Sequence, residues 1–84
     1  MKTVFSFKAP EAQTVQLAGD FTGWEHSPLS LTKSKNGLWK MTVALAAGSY
    51  QYRFLVDGQW RDDPACATRV PNPFGAENCV RQIG

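Results

Sequence analysis

The sequence predicts an all-β protein built from two packed antiparallel layers. Three observations indicate this fold: apolar and polar residues alternate with a period of two, turn-forming residues recur at short intervals, and no segment of helical length keeps a 3.6-residue apolar period. With 84 residues, 43% of them hydrophobic, the chain suits one domain over residues 1–84 with a single core.

The first strands are short and are ended by turn formers. Apolar residues from Val4 predict a first strand that Pro10 ends, because proline cannot donate to a strand ladder. Alternation through Val15 and Leu17 predicts a second strand, which Gly19-Asp20 breaks. Residues 21–28 are rich in turn formers, and we expect them to form a loop.

A hairpin is predicted next. A short strand around Leu29 and Leu31 leads to Asn36-Gly37, a strong hairpin signal, and the chain returns through the alternating residues Trp39–Leu45. Ala47-Gly48 then makes the following turn.

The strand Ser49–Val56 is predicted to direct Tyr52, Phe54 and Val56 into the core. Asp57-Gly58 suits a two-residue turn with positive φ at both central positions, so Val56 should pair with Gln59.

That register determines what lies on the outer face. Counting outward from the turn, Leu55 pairs with Trp60 and Arg53 faces Asp62. An aromatic ring and a cation should therefore share a surface turned away from the core.

The remaining chain is irregular and then extended. Three prolines between Asp62 and Ala76 predict a long loop, in which Thr68–Val70 could pair briefly, and Asn78–Ile83 forms a last strand. The total of about seven short antiparallel strands is typical of an immunoglobulin-like β-sandwich.

Charge and composition exclude several classes of function. Nine basic and seven acidic residues give a net charge of +2 without a run of like charges, so we expect no nucleic-acid partner. We find no signal peptide or apolar segment of membrane-spanning length, which predicts a cytoplasmic protein without a membrane partner. Cys66 and Cys79 could form a bridge if they met, but a cytosolic setting favours free thiols.

The sequence offers few side chains that could act in catalysis, and we expect no enzymatic activity. The adjacent Asp62 and Asp63 point to opposite sides of an extended chain and cannot act as a facing acid-base pair. His26 lacks the spaced partners of a metal site, and the dispersed glycines form no phosphate-binding loop. We therefore expect no metal and no cofactor.

Tryptophans are the candidates for ligand binding. Trp39 lies in an alternating strand and is expected in the core, whereas Trp24 and Trp60 lie in or beside turns and could be either core residues or ligand platforms. An exposed indole would cover the apolar face of a pyranose ring, while Arg53 and Asn78 would bond its hydroxyl rim.

Three motifs resemble one family. The segments VQLAGDFTGW (15–24), GSYQYRFLVDGQW (48–60) and, after Asp63-Pro64, PFGAEN (73–78) closely resemble carbohydrate-binding module family 48. This family includes the glycogen-binding domain of the AMP-activated protein kinase β subunit and the N-terminal domains of branching enzymes and isoamylases. The match covers essentially the whole chain and implies an immunoglobulin-like sandwich.

The resemblance also implies a binding site. Trp24 and Trp60 match two sugar-stacking tryptophans, Arg53 replaces a hydrogen-bonding lysine, Asn78 matches a sugar-binding asparagine, and Phe74 replaces a leucine that lies against the glucan ring. The guanidinium changes the donor geometry, and the larger Phe74 could add stacking area or obstruct a helical glucan.

Two functions follow as hypotheses. The first is non-catalytic binding of an α-1,4-glucan, such as glycogen, starch or a maltooligosaccharide, through a surface tryptophan platform. The alternative is a docking or regulatory module of a glycogen-metabolism enzyme or kinase with little affinity for sugar.

Overall fold

The computed structural model describes residues 2–73 and 75–84, with the Glu25 side chain excepted. These residues form two antiparallel β-sheets, which confirms the predicted all-β class. The nine strands of the described chain are β1 Lys2–Lys8, β2 Val15–Gly19, β3 Leu29–Ser30, β4 Thr32–Lys33, β5 Leu38–Ala44, β6 Gly48–Val56, β7 Gln59–Arg61, β8 Arg69–Pro71 and β9 Glu77–Ile83. A 3-10 turn, Trp24–His26, follows β2.

The two sheets differ in size. The smaller has the order β1-β5-β4, and the larger has the order β3-β2-β6-β9-β8, with β7 paired to β6. Along β6, residues 54–56 pair with β7 and residues 48–52 pair with β9. Because β2 occupies the other edge of β6, β7 and β9 share one edge, and Arg53 lies at the junction between them.

Aromatic side chains join the sheets in the core. The Phe5 ring of β1 lies 5.0 Å from that of Tyr52, and the Phe7 ring lies 4.9 Å from that of Phe54, measured between ring centroids. The predicted inward face of β6 is confirmed, because Tyr52 and Phe54 are buried and Val56 packs against the same cluster. Trp39 is also buried and donates its indole N–H to the Ala9 carbonyl, so its predicted core position is confirmed.

The strand count is higher than predicted because one predicted strand is divided in two and the brief pairing expected near residues 68–70 forms a strand of its own. The single strand expected around Leu29 and Leu31 is two strands, β3 paired with β2 and β4 paired with β5, so the chain crosses between sheets at Leu31. Leu31 itself is buried. The brief pairing expected near residues 68–70 is β8, shifted by one residue.

Two further findings concern the cysteines and membranes. Cys66 and Cys79 are free thiols, and Cys79 is fully buried. Within the described chain no helix has the length and apolar character needed to cross a bilayer.

Candidate functional site

The Asp57-Gly58 turn positions Trp60. Asp57 and Gly58 both have positive φ, 50° and 80°, as a two-residue turn of this kind requires. Leu55 pairs with Trp60 as predicted, and Trp60 is 40% exposed. The local turn chemistry thus directs this indole to the surface.

A different kind of turn positions Trp24. Gly23 and Trp24 both adopt left-handed backbone conformations, with φ of 76° and 59°. A non-glycine residue in this region costs roughly 1 to 2 kcal/mol, so surrounding contacts must hold it there. Thr22 Oγ1 lies 3.1 Å from the Gly19 carbonyl oxygen and 3.3 Å from that of Trp24, and it accepts a hydrogen bond from the Gly19 N–H.

The two indoles meet at an angle. Their ring centroids are 6.4 Å apart and their planes are inclined by 60°. Trp24 is half-buried, whereas Trp60 is exposed. The pair therefore presents two inclined surfaces instead of one flat plane.

Arg53 is held beside Trp60 by an acidic partner. Its Nη2 lies 3.1 Å from Asp62 Oδ1, and its guanidinium carbon lies 5.7 Å from the centroid of the Trp60 ring. Arg69 Nη1 donates to the other oxygen of Asp62 at 3.2 Å. The predicted facing of Arg53 and Asp62 is confirmed as an ion pair, and the cation is restrained against the indole face.

Asn78 is part of a chain of amide groups. Its Nδ2 donates to Gln51 Oε1 at 3.1 Å, and its Oδ1 accepts from Asn72 Nδ2 at 3.0 Å. The β6–β9 register pairs Tyr52 with Cys79, and one step further it brings Asn78 beside Arg53 on the outer face. Only 7% of Asn78 is exposed, so these bonds fix the orientation of its amide.

Four of the five predicted residues line one open cavity of about 700 Å³: Trp24, Arg53, Trp60 and Asn78. The fifth, Phe74, lies outside the described residues. The other lining residues are Gly23, His26, Leu55, Asn72 and Pro73. The hairpin register had already assigned Leu55 to this face, whereas no sequence signal marked the pairing of Asn72 with Asn78.

The two adjacent aspartates have separate roles. Asp62 binds the arginines at the cavity, while Asp63 is buried on the other side and accepts a 2.7 Å hydrogen bond from the Tyr52 hydroxyl. Burial, reinforced by that bond to Asp63, raises the pKa of Tyr52 above its usual range. Among the residues that the structure describes, no group of three or more His, Cys, Asp and Glu side chains is arranged to hold a metal ion.

Comparison with known proteins identifies the family of the chain. A family model described as the glycogen recognition site of AMP-activated protein kinase matches residues 1–83. The chain is 41% identical over 69 residues to the 5'-AMP-activated protein kinase subunit beta-1 of Sus scrofa, covering 82% of this chain and 53% of that protein.

Two plant proteins are also similar. Identity is 40% over 53 residues to Protein PTST homolog 2, chloroplastic, of Arabidopsis thaliana, which is 63% of this chain and 10% of that protein. It is 36% over 64 residues to Protein FLOURY ENDOSPERM 6, chloroplastic, of Oryza sativa subsp. japonica, which is 76% of this chain and 12% of that protein.

The chain thus spans about half of the kinase subunit and a tenth or so of each plant protein. Because two of these names include the word chloroplastic, the cytoplasmic location stays a prediction. The match of nearly the full length to one family model shows that this chain belongs to the carbohydrate-binding module family of the glycogen recognition site of AMP-activated protein kinase.

Proposed function

We propose that the domain binds α-1,4-glucan without catalysis, with Trp24 and Trp60 stacking on glucose rings. The observation that carries the proposal is the pair of indoles 6.4 Å apart and inclined by 60° over one open cavity. Successive rings of an α-1,4-glucan turn relative to one another, so a curved chain can lie against two inclined indoles. A straight β-1,4-glucan would need coplanar ones.

Polar groups around the indoles suit the hydroxyl rim of the sugar. Arg53 offers fixed guanidinium donors beside Trp60, and Asn78 offers an oriented amide. Each indole that covers about 100 Å² of sugar contributes roughly 2.5 kcal/mol before association costs of at least about 4 kcal/mol. Two platforms with several hydrogen bonds support micromolar to millimolar affinity, which suffices for a polymer with many equivalent sites.

The carboxylates support a non-catalytic role. Asp62 is paired with Arg53 and Arg69, and Asp63 is engaged by Tyr52 beneath the surface. Among the side chains that the structure describes, those lining the cavity include no pair of facing acids.

The test is calorimetric titration with maltoheptaose, β-cyclodextrin and cellohexaose. We expect the first two to bind and cellohexaose not to bind, and we expect Trp60→Ala to lose at least tenfold in affinity (about 1.4 kcal/mol) because it removes one platform. Trp39→Phe is the matched control, since it removes an indole buried elsewhere. Equal affinity of folded Trp60→Ala and the parent protein would show that the ligand does not stack there.

A second candidate function is docking on a glycogen-metabolism enzyme or kinase. It is favoured by one observation, that the chain matches only a segment of longer proteins. Competition separates the candidates, because docking on a purified partner would persist in excess maltoheptaose whereas sugar capture would not.

A further inference from the structure

We propose that Asp20 is a positioning residue that holds the Trp24 indole open for ligand. The sequence marked Asp20 only as part of the break after the second strand and not as a binding residue, and it does not line the cavity. Its importance for affinity rests on the proposed function, while its action on Trp24 is a property of the free protein.

The carboxylate of Asp20 is anchored to the neighbouring strand. Its Oδ2 accepts from the Gln51 N–H at 2.9 Å, and the Asp20 N–H donates to the Gln51 carbonyl at 3.0 Å. These two bonds continue the β2–β6 ladder by one residue beyond the Gly19–Tyr52 pair. The position of the carboxylate is therefore set by the backbone of the larger sheet.

The second oxygen of the same carboxylate holds the indole. Trp24 Nε1 donates to Asp20 Oδ1 at 3.2 Å. A bond from an N–H to a carboxylate is stronger than a neutral one. It holds the ring by one edge, so the bond itself covers neither face of the indole. Thr22 restrains the backbone of the strained turn, whereas Asp20 restrains the side chain.

The anchor also links the two sides of the cavity. Asp20 binds the backbone of Gln51, and the Gln51 side chain accepts from Asn78, which in turn accepts from Asn72. Through Gln51, these hydrogen bonds thus connect Asp20, which holds Trp24, with Asn78 on the other side of the cavity. The indole and the amide are held in register by groups that lie outside the stacking surface.

Loss of this restraint should lower affinity because fewer molecules would hold Trp24 in the rotamer that binds ligand. If Trp24 samples other rotamers, the apparent dissociation constant rises in inverse proportion to the open fraction. We expect Asp20→Ala to weaken β-cyclodextrin binding about fivefold, the effect of losing one typical hydrogen bond at an exposed site. Glu11→Ala, which removes an exposed carboxylate that does not line the cavity, should leave affinity unchanged.

A double-mutant cycle tests whether Asp20 acts through the indole. Trp24→Phe keeps an aromatic ring but removes the Nε1–H, so Asp20→Ala should have almost no further effect on affinity in the Trp24→Phe protein. A fivefold loss in both backgrounds would overturn the proposal, because Asp20 would then contact the sugar itself or act only on the fold. If Asp20→Ala does not fold, Asp20→Asn serves in its place, since it keeps the shape but replaces one acceptor oxygen with a donor.

Proton NMR of the free protein provides a readout that needs no ligand. The Trp24 indole N–H, assigned by its absence in Trp24→Phe, should shift and exchange faster with water in Asp20→Ala, while the Trp39 indole N–H should not change. An unchanged Trp24 signal overturns the positioning role. If the parent protein binds no glucan, the proposed function fails, and this signal still decides whether Asp20 holds the ring.

Discussion

At the scale of single residues, burial makes the thiol of Cys79 keep its proton to a higher pH than an exposed thiol does. Burial and a hydrogen bond with Cys66 raise its pKa from the ordinary 9.0 to about 12. The neighbouring Tyr52, buried and bonded to Asp63, also has a raised pKa, from an ordinary 10.0. Both groups keep their protons in the folded protein at a pH where the unfolded chain releases them.

We therefore expect the free energy of unfolding to fall as pH rises above about 9. The sign follows from linkage: the stabilisation is complete below the unfolded-state pKa and is lost as pH rises towards the folded-state pKa. Cys79→Ala should flatten the decline between pH 9 and 10, leaving the part due to Tyr52 above pH 10. Urea unfolding from pH 7 to 11 measures both slopes, and parallel slopes for the parent and the variant would contradict the assignment to Cys79.

The positions of single residues could be predicted from the sequence where residues close together in the chain determine them. The Asp57-Gly58 turn determined the pairing of Leu55 with Trp60, and the facing of Arg53 and Asp62 followed by counting. The bond from Trp24 to Asp20 was not predicted, because it depends on the rotamer of one side chain in a left-handed turn. The binding roles of these residues stay predictions until the titrations are made.

At the scale of elements, β2 and β6 approach each other closely at Gly19. A Cβ atom at Gly19 would lie 2.6 Å from the Gln51 carbonyl oxygen and 3.0 Å from the Tyr52 Cβ. Backbone cannot move aside as a flexible side chain can. Gly58 is different, because its φ of 80° strains any side chain while a Cβ there meets nothing within 4 Å.

We expect Gly19→Ala to cost about 3 kcal/mol and Gly58→Ala about 1 kcal/mol in the free energy of unfolding. The first variant forces two strands apart, and the second only strains a turn. Urea denaturation at neutral pH measures both. The reverse order would show that the turn, and not the strand contact, limits stability.

Elements were harder to predict where the chain changes sheets. The alternation around Leu29 and Leu31 correctly indicated extended structure, but alternation carries no information about which neighbour a strand pairs with. The division into β3 and β4 follows from tertiary packing, since the buried Leu31 side chain lies between two strands that belong to different sheets.

At the scale of the whole molecule, the cavity exists only in the folded state. Its walls come from the turn after β2, from β6, from the β7 hairpin and from the segment that leads into β9. Residues as distant along the chain as Gly23 and Asn78 line the same space. The unfolded chain cannot assemble such a site.

A glucan should therefore stabilise the domain by mass action. Maltoheptaose at ten times its dissociation constant should raise the free energy of unfolding by about 1.4 kcal/mol, and Tm by roughly 5 to 10 °C for a domain of this size. Differential scanning calorimetry measures the shift, with Trp60→Ala at the same sugar concentration as the control. Equal shifts in the two proteins would mean that the sugar acts away from the cavity.

The edges of the two sheets have a consequence for self-association. The edge strands β3, β4, β7 and β8 have only two or three residues, whereas β1, the outer strand of the smaller sheet, has seven. β1 carries Lys2 and Lys8 at its two ends. A second copy pairing antiparallel along β1 would set Lys2 of each chain opposite Lys8 of the other, and facing like charges repel. Repulsion between these lysines thus disfavours the addition of further strands along β1, the longest open edge, and so disfavours growth into fibrils.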